Sequence, residues 1–585
     1  MMKKTLNYNE LNEAERFFVD CLNERCNHSS TYNMIPTTVC FSYCINEIVK
    51  IFHLYNESNK RINHFELCDD FYEFLLNDSI FKQIDEAQYY LMLRLVKSLS
   101  GGAANYAESE NFFVACKGIF VSKYFDTLYN NLISLLKNNN IDDVEYLENI
   151  INTFINEILS QKCTYMYFCS IVLDLLNKDL FENIYDFIEY ISEKKCRYPD
   201  NIEMYLPLKN VEHREFAFIK TKQDVVSIDE TYYCKIYASK TIDYYRMCEL
   251  NMRRIKSIFN IYRFNRDTRI DFDYSKEVIV KRATLNDEFK VGFRDLITYK
   301  YFVGKQNIIE QTIKSLDIVS KHDSVLYYTY NNILDYAEKD NDFLTVSSYV
   351  DNWIALESII KLSGSRVGFE GVMFFVPKLL SIKYLRQEIN FSLKNAFHDK
   401  SVTLEKFVDI CIKNKELACL EKCQSLYYKH KLEKYIAMLG NYTNIREYIK
   451  SIEKRLEFDI QRIYLVRNEY VHSSNLAAYN NLQKIKLKRI LADVIDAFTK
   501  SLNGNINVER YTVSGKDIFS DILRKYMSHD TALEIMSGKY KTDNQKVGKK
   551  SLVSALDEYE ILKNIIFERM IVFNHSKRFD DEDNN

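Results

Sequence analysis

Apolar residues recur at intervals of three and four along most of this chain, the period of a helix with one buried face. Leu11, Ala14, Phe17, Phe18 and Cys21 share one side, which predicts an amphipathic helix over 9–22. The same pattern predicts helices over 38–56, 64–77, 84–99, 111–137, 142–160, 163–177 and 179–194. Breaks fall at Gly101-Gly102, at Lys137-Asn-Asn-Asn140 and at Lys194-Lys195 before Pro199. No fixed-period repeat links these segments. From 199 to 305 the texture changes: Phe216–Ile219, Tyr232–Tyr237 and Val278–Val280 are short β-branched or aromatic runs that predict strands. Between the last two, Tyr245, Cys248, Met252, Ile255 and Phe259 form one stripe of a helix over 242–259. Helical periodicity resumes over 307–320, 323–338, 342–363, 370–386, 403–413, 415–438, 443–473 and 479–502, and again as three helices within 514–575. The charged tail Arg578–Asn585 predicts disorder.

The fold class that follows is mainly α. A helical region over 1–198 serves as sensor or scaffold, a small α+β connector covers 199–305, a helical bundle covers 306–510, further helices cover 511–576, and an acidic tail covers 577–585. Only four prolines and thirteen glycines punctuate 585 residues, too few for the turns of a sandwich or barrel or for a Gly-rich nucleotide loop. With 47% hydrophobic residues each region can bury a core.

Charge narrows the function classes. Basic and acidic residues number 79 and 82, so no global field draws the protein to nucleic acid, and any RNA contact must come from a local patch. The longest apolar runs, Phe112–Ala115 and Val372–Val376, are far below the roughly 18 residues of a membrane span. Met1 to Glu10 has two lysines but no apolar stretch after them, so it does not read as a signal peptide and the expected location is the cytoplasm. Fourteen cysteines call for a metal check, yet no Cys-x-x-Cys occurs. Cys40 with Cys44, Cys419 with Cys423, and Cys21 with Cys26 and His28 read as small buried hydrophobes, so neither a metal site nor a cofactor is expected.

The candidate chemistry lies in Ile463-Tyr-Leu-Val-Arg-Asn-Glu-Tyr-Val-His472, where Arg467, Asn468 and His472 interrupt an apolar helical run that includes Leu456, Ile460, Ile463 and Tyr464. At about 100° per residue, Asn468 and His472 share a face and Arg467 lies at its edge. A neutral-range imidazole can take or give a proton. A guanidinium offers a permanent charge in a planar fork that fits phosphate oxygens. An amide can donate to a phosphate or hold the imidazole in one tautomer. RNA carries its own nucleophile, the 2′-hydroxyl, so its cleavage needs no metal if a base removes that proton and a cation steadies the phosphorane, although one such motif serves only one side of the scissile bond.

The spacing Arg-Asn-x-x-x-His resembles the signature of HEPN domains. About a hundred residues earlier, Val350-Asp-Asn-Trp-Ile-Ala-Leu-Glu-Ser-Ile-Ile360 holds the only tryptophan and is similar to the Trp-x-x-Leu-Glu helix of Apea-like HEPN domains. The resemblance covers about 306–505, with an echo in Ser239–Phe264 of the helix-and-strand region that leads into such domains. It implies a HEPN-type helical bundle and a metal-independent endoribonuclease of bacterial antiphage defence or toxin-like growth arrest. It also implies a homodimer in which two motifs face each other, since in-line cleavage wants an acid and a base on opposite sides of the scissile bond. The N-terminal region would then sense a phage-derived or cellular trigger. Where such domains often carry a small residue or glycine after the histidine, this chain has Ser473-Ser474.

Supporting residues are Trp353, Glu357 and Tyr470. Glu357 has three readings: an ion pair with Arg467, a cap on a neighbouring helix end, or a solvated carboxylate. Lys484 and Lys488, one turn apart, and Arg489 either track an RNA backbone beside the cleft or form a solvated helix face. A competing class remains open for the whole site: a buried Arg-Asn-His network that fixes helix packing in a non-catalytic dimerisation or RNA- or partner-binding protein.

Overall fold

Side-chain caps decide where several helices begin. The computed structural model describes residues 8–26, 39–57, 65–102, 105–177, 181–192, 202–211, 224–238, 243–266, 270–282, 287–293, 346–362, 368–397, 402–412, 420–473 and 481–506, with short stretches between 327 and 335 and between 524 and 566. The described chain is mostly helical with one small antiparallel sheet, and its contacts divide it into two units, the second taking residues 29–35, 302–340 and the chain from Tyr349 onward, so that only the first three residues of the helix that begins at Val346 fall to the first.

In the first unit α1 (Glu13–Cys26), α2 (Phe41–Glu57), α3 (Cys68–Leu76), α4 (Ser79–Ile84), α5 (Glu86–Ser100), α6 (Tyr106–Lys137), α7 (Val144–Gln161), α8 (Tyr165–Leu176) and α9 (Ile184–Ile191) follow one another. The helix expected over 84–99 is divided from α4 at Asp85. The Asp85 carboxylate accepts from the Gln88 amide, and Asp78 does the same for the Ile80 and Phe81 amides. Two caps seven residues apart end one helix and start the next. The break at Asn138–Asn140 holds, and α1 docks there: the Ala14 amide donates to Asn139 Oδ1 at 3.0 Å and Asn12 Nδ2 to the Leu136 carbonyl at 2.9 Å.

The sheet belongs to the same unit. Its strands β1 (Ile202–Lys209), β2 (Val225–Ile228), β3 (Thr231–Ala238), β4 (Asp271–Phe272), β5 (Glu277–Arg282) and β6 (Asp287–Gly292) run in the order β2-β3-β1-β5-β6, with β4 on the end of β1, all antiparallel. Tyr232–Tyr237 and Val278–Val280 lie within β3 and β5, whereas Phe216–Ile219 lies outside the described residues. The central strand β1 escaped the pattern reading because it is buried on both sides along most of its length and contains Pro207, so it shows neither alternation nor the usual strand composition. The helix expected over 242–259 is α10 (Tyr244–Arg266). Met252, Ile255 and Phe259 are buried on it, and Tyr244 and Phe259 reach Phe289 and Phe272 of the sheet at 5.5 and 5.4 Å between ring centroids. Asp243 caps α10 and also accepts from the Thr164 amide at 2.6 Å, which ties the sheet's helix to the start of α8.

The second unit holds α11 (Val346–Lys361), α12 (Gly368–Ala396), α13 (Leu404–Ile412), α14 (Leu426–Leu439), α15 (Tyr442–Ser473) and α16 (Asn481–Ile506). The α12 helix packs lengthwise on α14 and α15, and α16 packs on α12 and α15. It runs ten residues beyond the expected end at 386 and carries Pro377 inside it; Phe391 and Leu393 continue its buried face. Gly368 opens α12 at φ +64°, a backbone conformation that L side chains rarely adopt. The segment expected over 415–438 is a 3-10 turn at Leu420–Lys422 followed by α14, which Ser425 caps through the Tyr428 amide. The helices expected over 307–320 and 323–338, those within 514–575, and the tail fall largely outside the described residues.

Candidate functional site

The residues around Arg467 sit on three helices, and aromatic packing sets their positions. Trp353 of α11 is fully buried, with its ring centroid 5.4 Å from that of Tyr464 on α15. Phe369, one residue into α12, stacks on the same tyrosine at 4.3 Å and 22°. Tyr464 is thus held by α11 and α12, and three residues on, Arg467 places its guanidinium carbon 5.9 Å from the Tyr464 ring centroid. A cation over an aromatic ring is attracted to the negative face of the π-system. A second pin lies beside it: Tyr349 of α11 donates its hydroxyl to the Ile463 carbonyl at 2.9 Å and meets Tyr470 edge-on at 5.5 Å. The only tryptophan therefore works as a wedge that fixes the turn of α15 from which the polar groups project.

Arg467 Nη1 donates to Asn468 Oδ1 at 3.0 Å. The Arg467 Nε–H is buried and finds no acceptor. Among the described residues the arginine makes no ion pair, in contrast to several other basic side chains of this unit. Lys383 lies 2.8 Å from both Asp493 and Asp496, Lys486 lies 2.6 Å from Asp459, and Arg489 lies 2.8 Å from Asp493. A half-buried guanidinium with an unused donor and no ion pair among the described residues is an arrangement that an anion completes. His472 occupies the position one helical turn beyond Asn468 on α15; its side chain lies outside the described residues. Just before it, Val471 is 45% exposed, so this end of the helix reaches solvent.

Of the supporting residues, Trp353 and Tyr470 pack as described. Glu357 makes no ion pair with Arg467. Its Oε1 lies 3.9 Å from where a Cβ on Gly368 would stand, beside the first residue of α12, where the partial positive charge of a helix start favours a carboxylate.

The basic run on α16 does not form the face expected of it. Lys484 is 0% exposed, so its ammonium is not offered to a polyanion. Lys488 is half-buried and Arg489 is engaged with Asp493. The reason is that α16 packs on α12 and α15 and is buried nearly all round along its first turns, where Leu482, Gln483, Ile485, Lys486 and Leu487 are buried as well. The polar interior this creates escaped the sequence reading. Burial alone would lower the Lys383 ammonium's pKa, but Asp493 and Asp496 hold it above the usual lysine value. For Lys486 burial wins over Asp459, with Arg462 and Arg455 adding repulsion, so its pKa falls below that value. The legible signal was Lys383 among Leu380, Ile382, Tyr384 and Leu385, a charge set in a buried stretch.

No family model, curated protein or solved structure matches the chain, so the reading of the site rests on these residues and their geometry.

Proposed function

We propose that the second unit is a HEPN-type, metal-independent RNA endonuclease, acting in bacterial antiphage defence or toxin-like growth arrest. The observation that carries the reading is Arg467: a half-buried guanidinium, braced by Tyr464 and hydrogen-bonded to Asn468, with a buried Nε–H that has no acceptor and with no ion pair among the described residues. A scissile phosphate is the ligand that such a fork takes best. In this mechanism Arg467 binds the phosphate and steadies the charge that builds on it, while Asn468 orients the guanidinium or donates to a phosphate oxygen. His472 moves the proton of the 2′-hydroxyl, and that oxygen attacks the adjacent phosphorus as the 5′-oxygen departs, leaving a 2′,3′-cyclic phosphate. One histidine serves one side of the bond, so a second copy related by a two-fold axis supplies the other. The exposure of Val471 next to His472 fits a helix end that meets a partner.

The Arg467–Asn468 bond also favours one second reading, a network that orders α15 in a non-catalytic dimerisation or binding protein. The two separate on purified protein. Cleavage of a single-stranded RNA in EDTA, giving 2′,3′-cyclic ends and falling about 10²- to 10⁴-fold in His472→Ala with the melting temperature kept, supports catalysis. Activity that stops with EDTA and returns with magnesium overturns the mechanism. No cleavage together with a lowered melting temperature in Arg467→Ala favours the network.

A further inference from the structure

The α6 helix turns two different faces to solvent along its length. Over its second half the outward positions are Asp126, Asn130, Ser134 and Lys137, all exposed and polar, as a surface helix requires. Over its first half they include Asn111, Val114, Ala115, Gly118, Ile119 and Ser122, exposed in the same way and without a charge among them. Val114 and Ile119 are each 51% exposed, and a Cβ added to Gly118 would meet nothing within 4 Å. On the opposite side of the same turns Phe113, Cys116 and Tyr124 are buried, so the helix is anchored in its unit by one face and leaves the other bare.

Along this bare face Asn111, Ala115, Gly118 and Ser122 recur at spacings of four, three and four, the seam of a two-helix coiled coil. At about 100° per residue, Val114 and the half-buried Val121 flank the seam on one side, and Ile119 and the half-buried Phe112 flank it on the other. An identical strip laid antiparallel, about a two-fold axis between Cys116 and Lys117, complements it. Ala115 then pairs with Gly118 of the second copy, and Asn111 with Ser122 of the second copy. Val114 meets Val121 across one flank, Ile119 meets Phe112 across the other, and every contact occurs twice. The small residues of the seam let the backbones come close enough for these flanking side chains to reach across. A polar layer of Asn111 and Ser122 favours this register, since a slipped seam would set each against an apolar group. At the rim Glu108 of one copy lies opposite Lys123 of the other, and Lys123 in its own chain rests over the Phe120 ring at 5.9 Å.

We propose that the first half of α6 is a self-association surface, through which two copies of this chain pair antiparallel. A single helix pair about four turns long covers well under the roughly 800 Å² per partner of a stable interface, so the pairing is weak and reversible. The surface lies wholly in the first unit and uses none of Arg467, Asn468 or His472, so it is separate from the two-fold axis invoked for cleavage.

The test uses the full chain. Val114→Cys and Val121→Cys proteins are treated with a short bismaleimide, each alone and as an equal mixture, and resolved on a denaturing gel, with the parent as control for its own thiols. The mixture cross-links several-fold more than either variant alone, because like positions stand apart along an antiparallel pair. Sedimentation velocity over a concentration series shows a concentration-dependent step in the parent. Gly118→Leu weakens that step at least about tenfold, since its side chain fills the place of Ala115 of the second copy. The same position faces open space within one chain, so far-UV circular dichroism of Gly118→Leu matches the parent. Glu108→Lys weakens the step and Glu108→Lys with Lys123→Glu restores it. Three results each overturn the proposal: cross-linking of Val114→Cys alone equal to that of the mixture, association of Gly118→Leu like that of the parent, or a parent without any concentration-dependent step. The last is what a strip covered by a different protein or by a lipid surface would give. Failure of the nuclease reading shows separately, as an absence of cleavage by the parent protein.

Discussion

Both units bury carboxylates, but they stabilise them in opposite ways. In the first unit Glu157 is completely buried and accepts from the Ser42 amide at 3.0 Å and from Gln161 at 2.6 Å, so it caps the start of α2 from the neighbouring α7. Asp78 accepts from the Ile80 and Phe81 amides and from the Tyr124 hydroxyl at 2.8 Å. Neither makes an ion pair among the described residues. In the second unit Asp459, Asp493 and Asp496 lie against Lys486 and Lys383. Helix-start amides carry only partial positive charge, whereas an ammonium carries a whole one. The outcome differs accordingly. Burial pushes Asp78 up to about 6 despite its hydrogen bonds, while for Asp496 the effect of burial is exceeded by Lys383 and Lys500, which hold it below the usual aspartate value.

The strongest way to break this comparison is to remove an ammonium from the second unit. Lys486→Met strands the Asp459 carboxylate in the interior and should destabilise the second unit by about 3–5 kcal/mol, whereas Lys486→Met combined with Asp459→Leu should recover most of the loss. Hydrogen exchange of the α15 amides reads the second unit without assuming that the whole chain unfolds in one step. A single variant that exchanges like the parent would show that Asp459 is reached by water, and the contrast between the units would collapse.

A smaller effect, of opposite sign to ordinary acid denaturation, is expected at Asp78. Its folded pKa is raised, so the folded state holds the proton more tightly. Stabilisation from this group is therefore present at low pH and lost as pH rises from about 4 through about 6. Asp78→Asn keeps a cap acceptor but cannot titrate, and should flatten the pH dependence of the first unit over that window by up to about 3 kcal/mol. Urea midpoints of parent and variant at pH 4, 5, 6 and 7 measure it, and parallel curves count against a dry Asp78. In the second unit Asp496 works the other way. Its lowered pKa means stability that is present above the unfolded value and disappears as pH falls below about 4.

The smallest effect concerns Lys500, which pairs with Asp496 at 2.8 Å but is 55% exposed. Solvent screens such a pair, so Lys500→Ala should change stability by no more than about 1 kcal/mol, within reach of a careful thermal melt. A larger loss would mean that Lys383 and Arg489 do not balance the two aspartates without Lys500.

Much of the helical layout was written in the spacing of apolar residues. The runs expected over 142–160, 163–177, 403–413 and 443–473 appear within a few residues at each end, because an amphipathic period and a local cap such as Asp143 or Thr164 act within one segment. The division at Asp85 was legible too, had Asp78 and Asp85 been weighed as caps. The strand β1 was not, since it sits between β3 and β5 and takes its character from partners elsewhere in the chain. At the candidate site the grouping of Arg467 with Asn468 and the importance of Trp353 were readable from their order. Burial of Lys484 was not: on its own segment a Lys at every second position reads as a solvated face, and only the packing of α16 on α12 and α15 reverses it.

Local periodicity and capping thus settled which segments are helices, because their energetics depend on neighbours three or four residues away. Tertiary structure alone decided which charges are buried, that Glu357 stands by the start of α12 and makes no ion pair with Arg467, and that Asp459 and Lys486 face each other 2.6 Å apart. The physical reason is that desolvation and Coulomb attraction act through space, between residues whose separation along the chain carries no signal of their meeting.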